Sequence, residues 1–222
     1  MKILRAWTLL PLLGLLAGAN TAVGAVIPVS NPSFETLPAG GLPFGCGAGC
    51  SYSAQDPIPG WVSTGSFGQF QPGVQVGNFT YFNSVPDGIT VAYSNGGTIS
   101  QTVGAVAVAG TTYTLNVDVG FRKDVPDPGT VSLLVGANPI LAAGVPAPFS
   151  GDFVDYMASY TATALDAGGA ISILLSTPGE QGDWDNVRLS ESAAAIPEPA
   201  SLALFGAGLV AIGLLRRKAR GG

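Results

Sequence analysis

Glycine and proline interrupt this chain so often that only a fold built from short segments can accommodate it. The 222 residues include 32 Gly and 17 Pro. In a helix interior these residues cost about 1 and about 3 kcal/mol relative to Ala, so a long helical bundle is excluded. Disorder is excluded from the other side, because it requires low hydrophobicity and high charge. Here 47% of residues are hydrophobic and 10% are charged.

What lies between the turn signals alternates. From Thr112 to Val119, Tyr113, Leu115, Val117 and Val119 share one face, and Thr112, Thr114, Asn116 and Asp118 share the other. This two-residue period marks a half-buried strand. Ile171, Ile173 and Leu175 repeat it, and further strands are expected at Ile89–Tyr93, Thr98–Val103, Val131–Val135, Phe153–Thr161 and Trp184–Leu189. Asn95-Gly96-Gly97 suits a tight hairpin, since Asn and Gly tolerate positive φ. Two or three irregular strands are expected within residues 36–80. Many short strands with frequent turns indicate an all-β fold, an antiparallel β-sandwich of the jelly-roll type. Residues 26–192 are long enough for one substantial core.

The two ends read as addresses. Lys2 and Arg5 precede an uncharged, Leu-rich run, and small residues follow up to Val23-Gly24-Ala25. This is the layout of a signal peptide over residues 1–25. At the other end a linker, residues 193–199, carries Pro197-Glu198-Pro199. An uncharged segment follows over 200–215, then a basic tail over 216–222 with Arg216, Arg217, Lys218 and Arg220. Sixteen helical residues reach about 24 Å, which a locally thinned bilayer accommodates. The basic cluster is expected to stay cytoplasmic as a membrane stop, which leaves the body outside the inner membrane.

The Pro-Glu-Pro motif, the short Gly/Ala/Leu span and the Arg-rich end resemble the PEP-CTERM sorting signal of exopolysaccharide-producing Gram-negative bacteria. The resemblance implies a membrane exosortase-type partner that processes the protein. It also implies a location in the cell envelope, at the cell surface or in the extracellular matrix.

The body carries a second resemblance. Val29-Ser-Asn-Pro-Ser-Phe34-Glu35, Ile58-Pro59-Gly60-Trp61, Gly97-Thr-Ile-Ser-Gln101, Ala109-Gly110-Thr-Thr-Tyr113-Thr-Leu115 and Asp185-Asn186-Val187-Arg188-Leu189 occur in the order seen in galactose-binding-like jelly rolls, the fold of many carbohydrate-binding modules. In such modules an acidic residue after the opening Phe and an Asp on the last strand often hold a structural calcium ion. The resemblance therefore makes Glu35 and Asp185 candidate Ca²⁺ ligands, with two solvated surface acids as the alternative. Asp183, two residues before Asp185, could assist or be solvated. Trp61 and Tyr81 are the candidate ligand-binding aromatics, because flat rings pack on pyranose faces, with Trp61 as an anchor of its Pro-Gly turn in the core the alternative. The segment around Cys46 and Cys50 has no counterpart in the resemblance. An exported chain meets oxidising conditions, so a disulfide between the two is expected. A redox pair or metal ligation are the alternatives.

Several functions are excluded or disfavoured. The chain has no histidine, which removes Ser-His-Asp and Cys-His catalysis and His-ligated zinc. Residues 26–199 hold all 14 acidic residues against Arg122, Lys123 and Arg188, a net of −11, which opposes nucleic-acid binding. Phe121-Arg122-Lys123-Asp124 reads as a loop ion pair. No carboxylate pair is marked as convergent, so no catalysis is expected. The reading is a non-catalytic, exported surface or matrix protein that binds polysaccharide. A structural or adhesive matrix protein without a sugar site is the alternative, and a glycoside-active enzyme the third choice.

Overall fold

A computed structural model describes residues 24–75, 79–125 and 129–193, together with 206, 208, 209 and 216. Most of the expected signal peptide, Pro197-Glu198-Pro199, most of the 200–215 segment, and Arg217, Lys218 and Arg220 lie outside the described residues. Among the described residues no helix is long and apolar enough to cross a membrane. The strands belong to the compact unit Val23–Ala194.

This unit is all-β, with every paired strand antiparallel. In chain order the strands are β1 (Ala25–Ile27), β2 (Phe44–Ala48), β3 (Cys50–Tyr52), β4 (Val62–Gln71), β5 (Val74–Gln75), β6 (Phe79–Thr80), β7 (Val91–Val106), β8 (Thr112–Gly120), β9 (Thr130–Val135), β10 (Asn138–Leu141), β11 (Phe153–Thr161) and β12 (Ala170–Ser192). The longest is β12, and its two halves serve different layers. Ile171–Ser176 pairs with β9, whereas Asp183–Ser192 pairs with β8, and Leu189–Glu191 also pairs with β1. β7 accompanies β12 along both halves. One layer is therefore β10-β9-β12-β7-β4. The other is β11-β8-β12, continued through β7 and β4 to β3, β2, β5 and β6. This is the jelly-roll sandwich that the alternating segments predict.

The core sits between the layers and follows the two-residue period. Tyr113, Leu115, Val117 and Val119 of β8 are fully buried, as are Val131, Leu133 and Val135 of β9 and Ile171, Ile173 and Leu175 of β12. Trp184 is also fully buried among them.

Two details depart from the sequence reading. Asn95-Gly96-Gly97 does not reverse the chain, and β7 runs straight through it. The glycines instead let β7 pass from one layer to the other. Gly96 has φ +83°, and a Cβ on Gly97 would lie 2.2 Å from the Thr64 carbonyl oxygen. Close backbone crossing, rather than a turn, is what these glycines serve. Residues 36–80 also hold five strands, β2 to β6, rather than two or three.

The opening segment is tied to the sandwich by polar side chains. The Gln101 carboxamide accepts from Ser30 N at 2.8 Å and donates to the carbonyls of Ser30 and Gly60, both at 2.9 Å. Phe34 takes a positive φ of 56°, rare for a bulky residue. Its buried ring packs 5.3 Å from the Trp61 ring. Gln101→Ala is expected to lower unfolding stability by about 2 kcal/mol, because it orphans three backbone groups at a largely buried site. Urea unfolding checks this, and an unchanged midpoint would contradict it.

Candidate ligand pocket

Alternation along the second half of β12 separates two environments. Trp184 points into the main core. Asp183 therefore points to the opposite face of the sheet, as does Tyr93, its partner across to β7. On that face a second, smaller apolar cluster forms from Cys50, Phe70, Tyr81, Phe82, Val91 and Tyr93. The rings meet largely edge to face, Phe70–Tyr81 at 6.0 Å and Phe70–Tyr93 at 5.8 Å. They leave a cavity of about 340 Å³, lined by Cys46, Tyr52, Phe70, Tyr81, Tyr93, Asn95, Arg122 and Gln181.

The polar members of this wall are organised around a buried acid. Asp183 is 0% exposed. Its Oδ1 accepts from Gln181 Nε2 at 2.9 Å, and its Oδ2 has no hydrogen-bond partner. Burial pushes its carboxyl up to about 7, against the opposing pull of Arg122. A carboxylic acid in such a place is held neutral up to neutral pH. Arg122 is itself fixed twice. Its Nε and Nη2 donate to Asp124 at 2.9 and 2.7 Å, and its guanidinium lies 4.1 Å from the centre of the Tyr81 ring. Tyr93 donates its hydroxyl to the Ser53 carbonyl at 2.7 Å. Burial, then Tyr52 and Asp183, push that phenol up to about 12.

The sequence-derived candidates fall in different places. Tyr81 lines the cavity. Trp61 is buried in the main core, and its indole nitrogen donates to the Asn31 carbonyl at 3.2 Å. Cys46 and Cys50 are joined by a disulfide with a Cα–Cα distance of 5.1 Å. Glu35 and Asp185 hold the same surface loop. Glu35 Oε1 accepts from Ile89 N at 2.8 Å and Thr90 N at 2.7 Å, and Asp185 Oδ2 accepts from Asp87 N at 2.9 Å. Burial, with Asp87 and Asp118 adding repulsion, pushes Asp185 up to about 7. Among the described residues no group of three or more His, Cys, Asp or Glu side chains is arranged to hold a metal ion.

Sequence reasoning passed over Gln181, Tyr93 and the central role of Asp183, and read Arg122 only as half of a loop ion pair, which it forms with Asp124. One signal was present. In Gln181-Gly-Asp183-Trp184-Asp185, three polar side chains alternate with a Trp that must face the core, so they share the other face.

The cavity acquires context from known proteins. A family model described as HpiC1 cyclase matches residues 25–190. A PEP-CTERM protein-sorting motif matches residues 195–218, so the protein is exported and sorted by an exosortase-type system. Among solved structures, the Stig cyclase Fisc from Fischerella sp. TAU, in complex with (3Z)-3-(1-methyl-2-pyrrolidinylidene)-3H-indole, is 26% identical with a TM-score of 0.60. That match covers 78% of this chain and all of the Fisc chain. The CBM22-1 xylan-binding domain of Paenibacillus barcinonensis Xyn10C matches at 13% identity and a TM-score of 0.48, covering 78% of this chain and 99% of that domain. No curated protein matches the sequence.

Proposed function

The chain belongs to the HpiC1-like family, and from that premise we propose that its aromatic cavity binds a small, flat organic molecule, with Asp183 behind the Gln181 and Arg122 part of the wall as the source of a proton. The observation that carries this reading is Asp183 itself: wholly buried, with one oxygen without a partner, the other bonded to the cavity-lining Gln181, and the cavity-lining Arg122 within electrostatic reach. A neutral acid in an apolar site can protonate a bound ring system without metal or histidine. The expectation of no catalysis rested on the lack of a histidine-based site or paired carboxylates, and this chemistry needs neither. A substrate with an indole-like ring fits the lining rings and agrees with the molecule bound by Fisc. The role is exercised after export, at the cell surface or in the exopolysaccharide matrix.

A second reading is non-catalytic carbohydrate binding in the same cavity. Tyr52, Tyr81, Asn95 and Gln181 support it, because rings stack on sugar faces and amides bond hydroxyls. Calorimetry with the Fisc ligand on one side, and cello- and xylo-oligosaccharides on the other, separates the two. We expect saturable binding of the indole compound, weakened about tenfold or more by Tyr81→Ala. Binding of oligosaccharides alone would favour the second reading and defeat the first.

Asp87 and Asp118 both repel the buried Asp185 carboxylate, and carboxylate oxygens suit a hard dication such as Ca²⁺, although the three are not gathered into a ligand cluster among the described residues. Asp185 would hold the ion, and Glu35 would steady the loop beside it. Millimolar calcium is expected to raise the melting temperature, and Glu35→Ala to remove the increase. No shift with calcium would refute the role.

A further inference from the structure

We propose that the Cys46–Cys50 disulfide assembles the pocket, so that the site exists only once the chain has reached an oxidising compartment. The inference rests on the ligand reading above and adds its regulation.

Three observations carry it. First, the disulfide is part of the wall: Cys46 lines the cavity, and Cys50, 4% exposed, belongs to the cluster of Phe70, Tyr81, Phe82, Val91 and Tyr93. That cluster is separate from the main core between the layers. Second, little else holds the hairpin in place. Along β2 only Cys46 is half-buried, and Phe44, Gly45, Gly47 and Ala48 are exposed. The hairpin's anchors to the rest of the sheet are two residue pairs of β3 with β4 and two of β2 with the two-residue strand β5, while three pairs between β2 and β3 and the Phe44–Tyr52 ring contact at 5.3 Å are internal to it. Third, the segment opposes its own fold. Gly47 and Gly49 take φ of 135° and 69°, conformations whose entropy cost is greatest for glycine. The tip also depends on a glycine in the next turn, since a Cβ on Gly73 would lie 2.2 Å from the Gly49 carbonyl carbon. A short covalent ring selects this arrangement from many.

Closure is a two-electron oxidation. The Cys46 and Cys50 thiols give up two protons and two electrons to a disulfide-bearing oxidant of the compartment, which becomes a dithiol. In the test the reverse occurs: dithiothreitol closes to its cyclic disulfide, and both protein thiols are restored.

The experiment is hydrogen exchange by mass spectrometry on the full chain in mild detergent, oxidised and after dithiothreitol, with a Cys46→Ser/Cys50→Ser variant as the non-reducible control. Exchange in residues 44–52 and 70–75 is expected to accelerate at least tenfold in the reduced and Ser forms, with β8, β9 and β11 unchanged. Unchanged exchange at 44–52 overturns the proposal. So does equal acceleration in β8 and β9, which would make the bond a general stabiliser. In a parallel arm, affinity for the Fisc ligand should fall at least tenfold on reduction. If neither form binds while the hairpin still opens, the disulfide proposal stands and the ligand reading fails.

Discussion

Replacing Asp183 with Asn is expected to raise the melting temperature at pH 8 and leave it nearly unchanged at pH 4. The wild-type carboxyl is raised from 3.8 in the free residue to about 7 in the fold. A group raised by folding binds its proton more tightly when folded. Its contribution to stability is therefore complete below about pH 4 and is lost as pH rises through about 7. The full interval corresponds to roughly 4 kcal/mol as an upper bound. For a domain of this size that is on the order of 10 °C in Tm. An amide carries no charge at either pH, so the variant escapes the loss. Asp185, also raised to about 7 by burial, keeps its share of the slope in the variant, so the pH dependence should shrink rather than vanish. Melts followed by circular dichroism at pH 4, 6 and 8 test this. A variant less stable than wild type at pH 8 would show that the ionised carboxylate is a net stabiliser. The same substitution removes the proposed proton donor. Binding of the indole compound should survive and any conversion of it should stop, a split that general misfolding would not produce.

The Glu35 clamp gives the second large effect. Glu35→Ala should cost roughly 3 kcal/mol. Its Oε1 takes the amides of Ile89 and Thr90, and its Oε2 accepts the Thr90 hydroxyl at 3.2 Å. Thr90 is 0% exposed, so water cannot replace its two bonds, whereas the exposed Ile89 amide can turn to solvent. Phe34 makes the arrangement possible. Its ring is locked in the core with φ 56°, which directs the next side chain at the loop. Glu35→Gln retains one acceptor oxygen and should lose roughly half as much. Chemical denaturation of the two variants ranks them, and equal loss by both would mean that the charge, not the acceptors, holds the loop.

The alternating strands were legible because a sandwich buries one face of each, and a two-residue period is visible without knowing the partner strand. Thr112–Val119 and Ile171–Leu175 illustrate this: each buried residue is one that the period selects. Asn95-Gly96-Gly97 was misread because a glycine pair needed for a tight turn and one needed for a close backbone crossing have the same local chemistry. Only the Thr64 carbonyl, 33 residues before Gly97 in the chain, decides between them. Asp183 was legible as a polar residue opposite a core Trp. Its burial is decided by distant segments, with β7 placing Tyr93 across from it and Arg122 coming within electrostatic reach.

Glycine and proline counts, strand periodicity and the sorting motif thus determine by themselves that this is an exported jelly roll. Each is a property of neighbouring residues, and short-range geometry suffices to express it. The tertiary structure alone decides that a second cluster of rings forms outside the sandwich core, with a buried acid behind it and a disulfide in its wall. Burial, and the proton affinity and pocket shape that follow from it, arise from residues far apart in the chain.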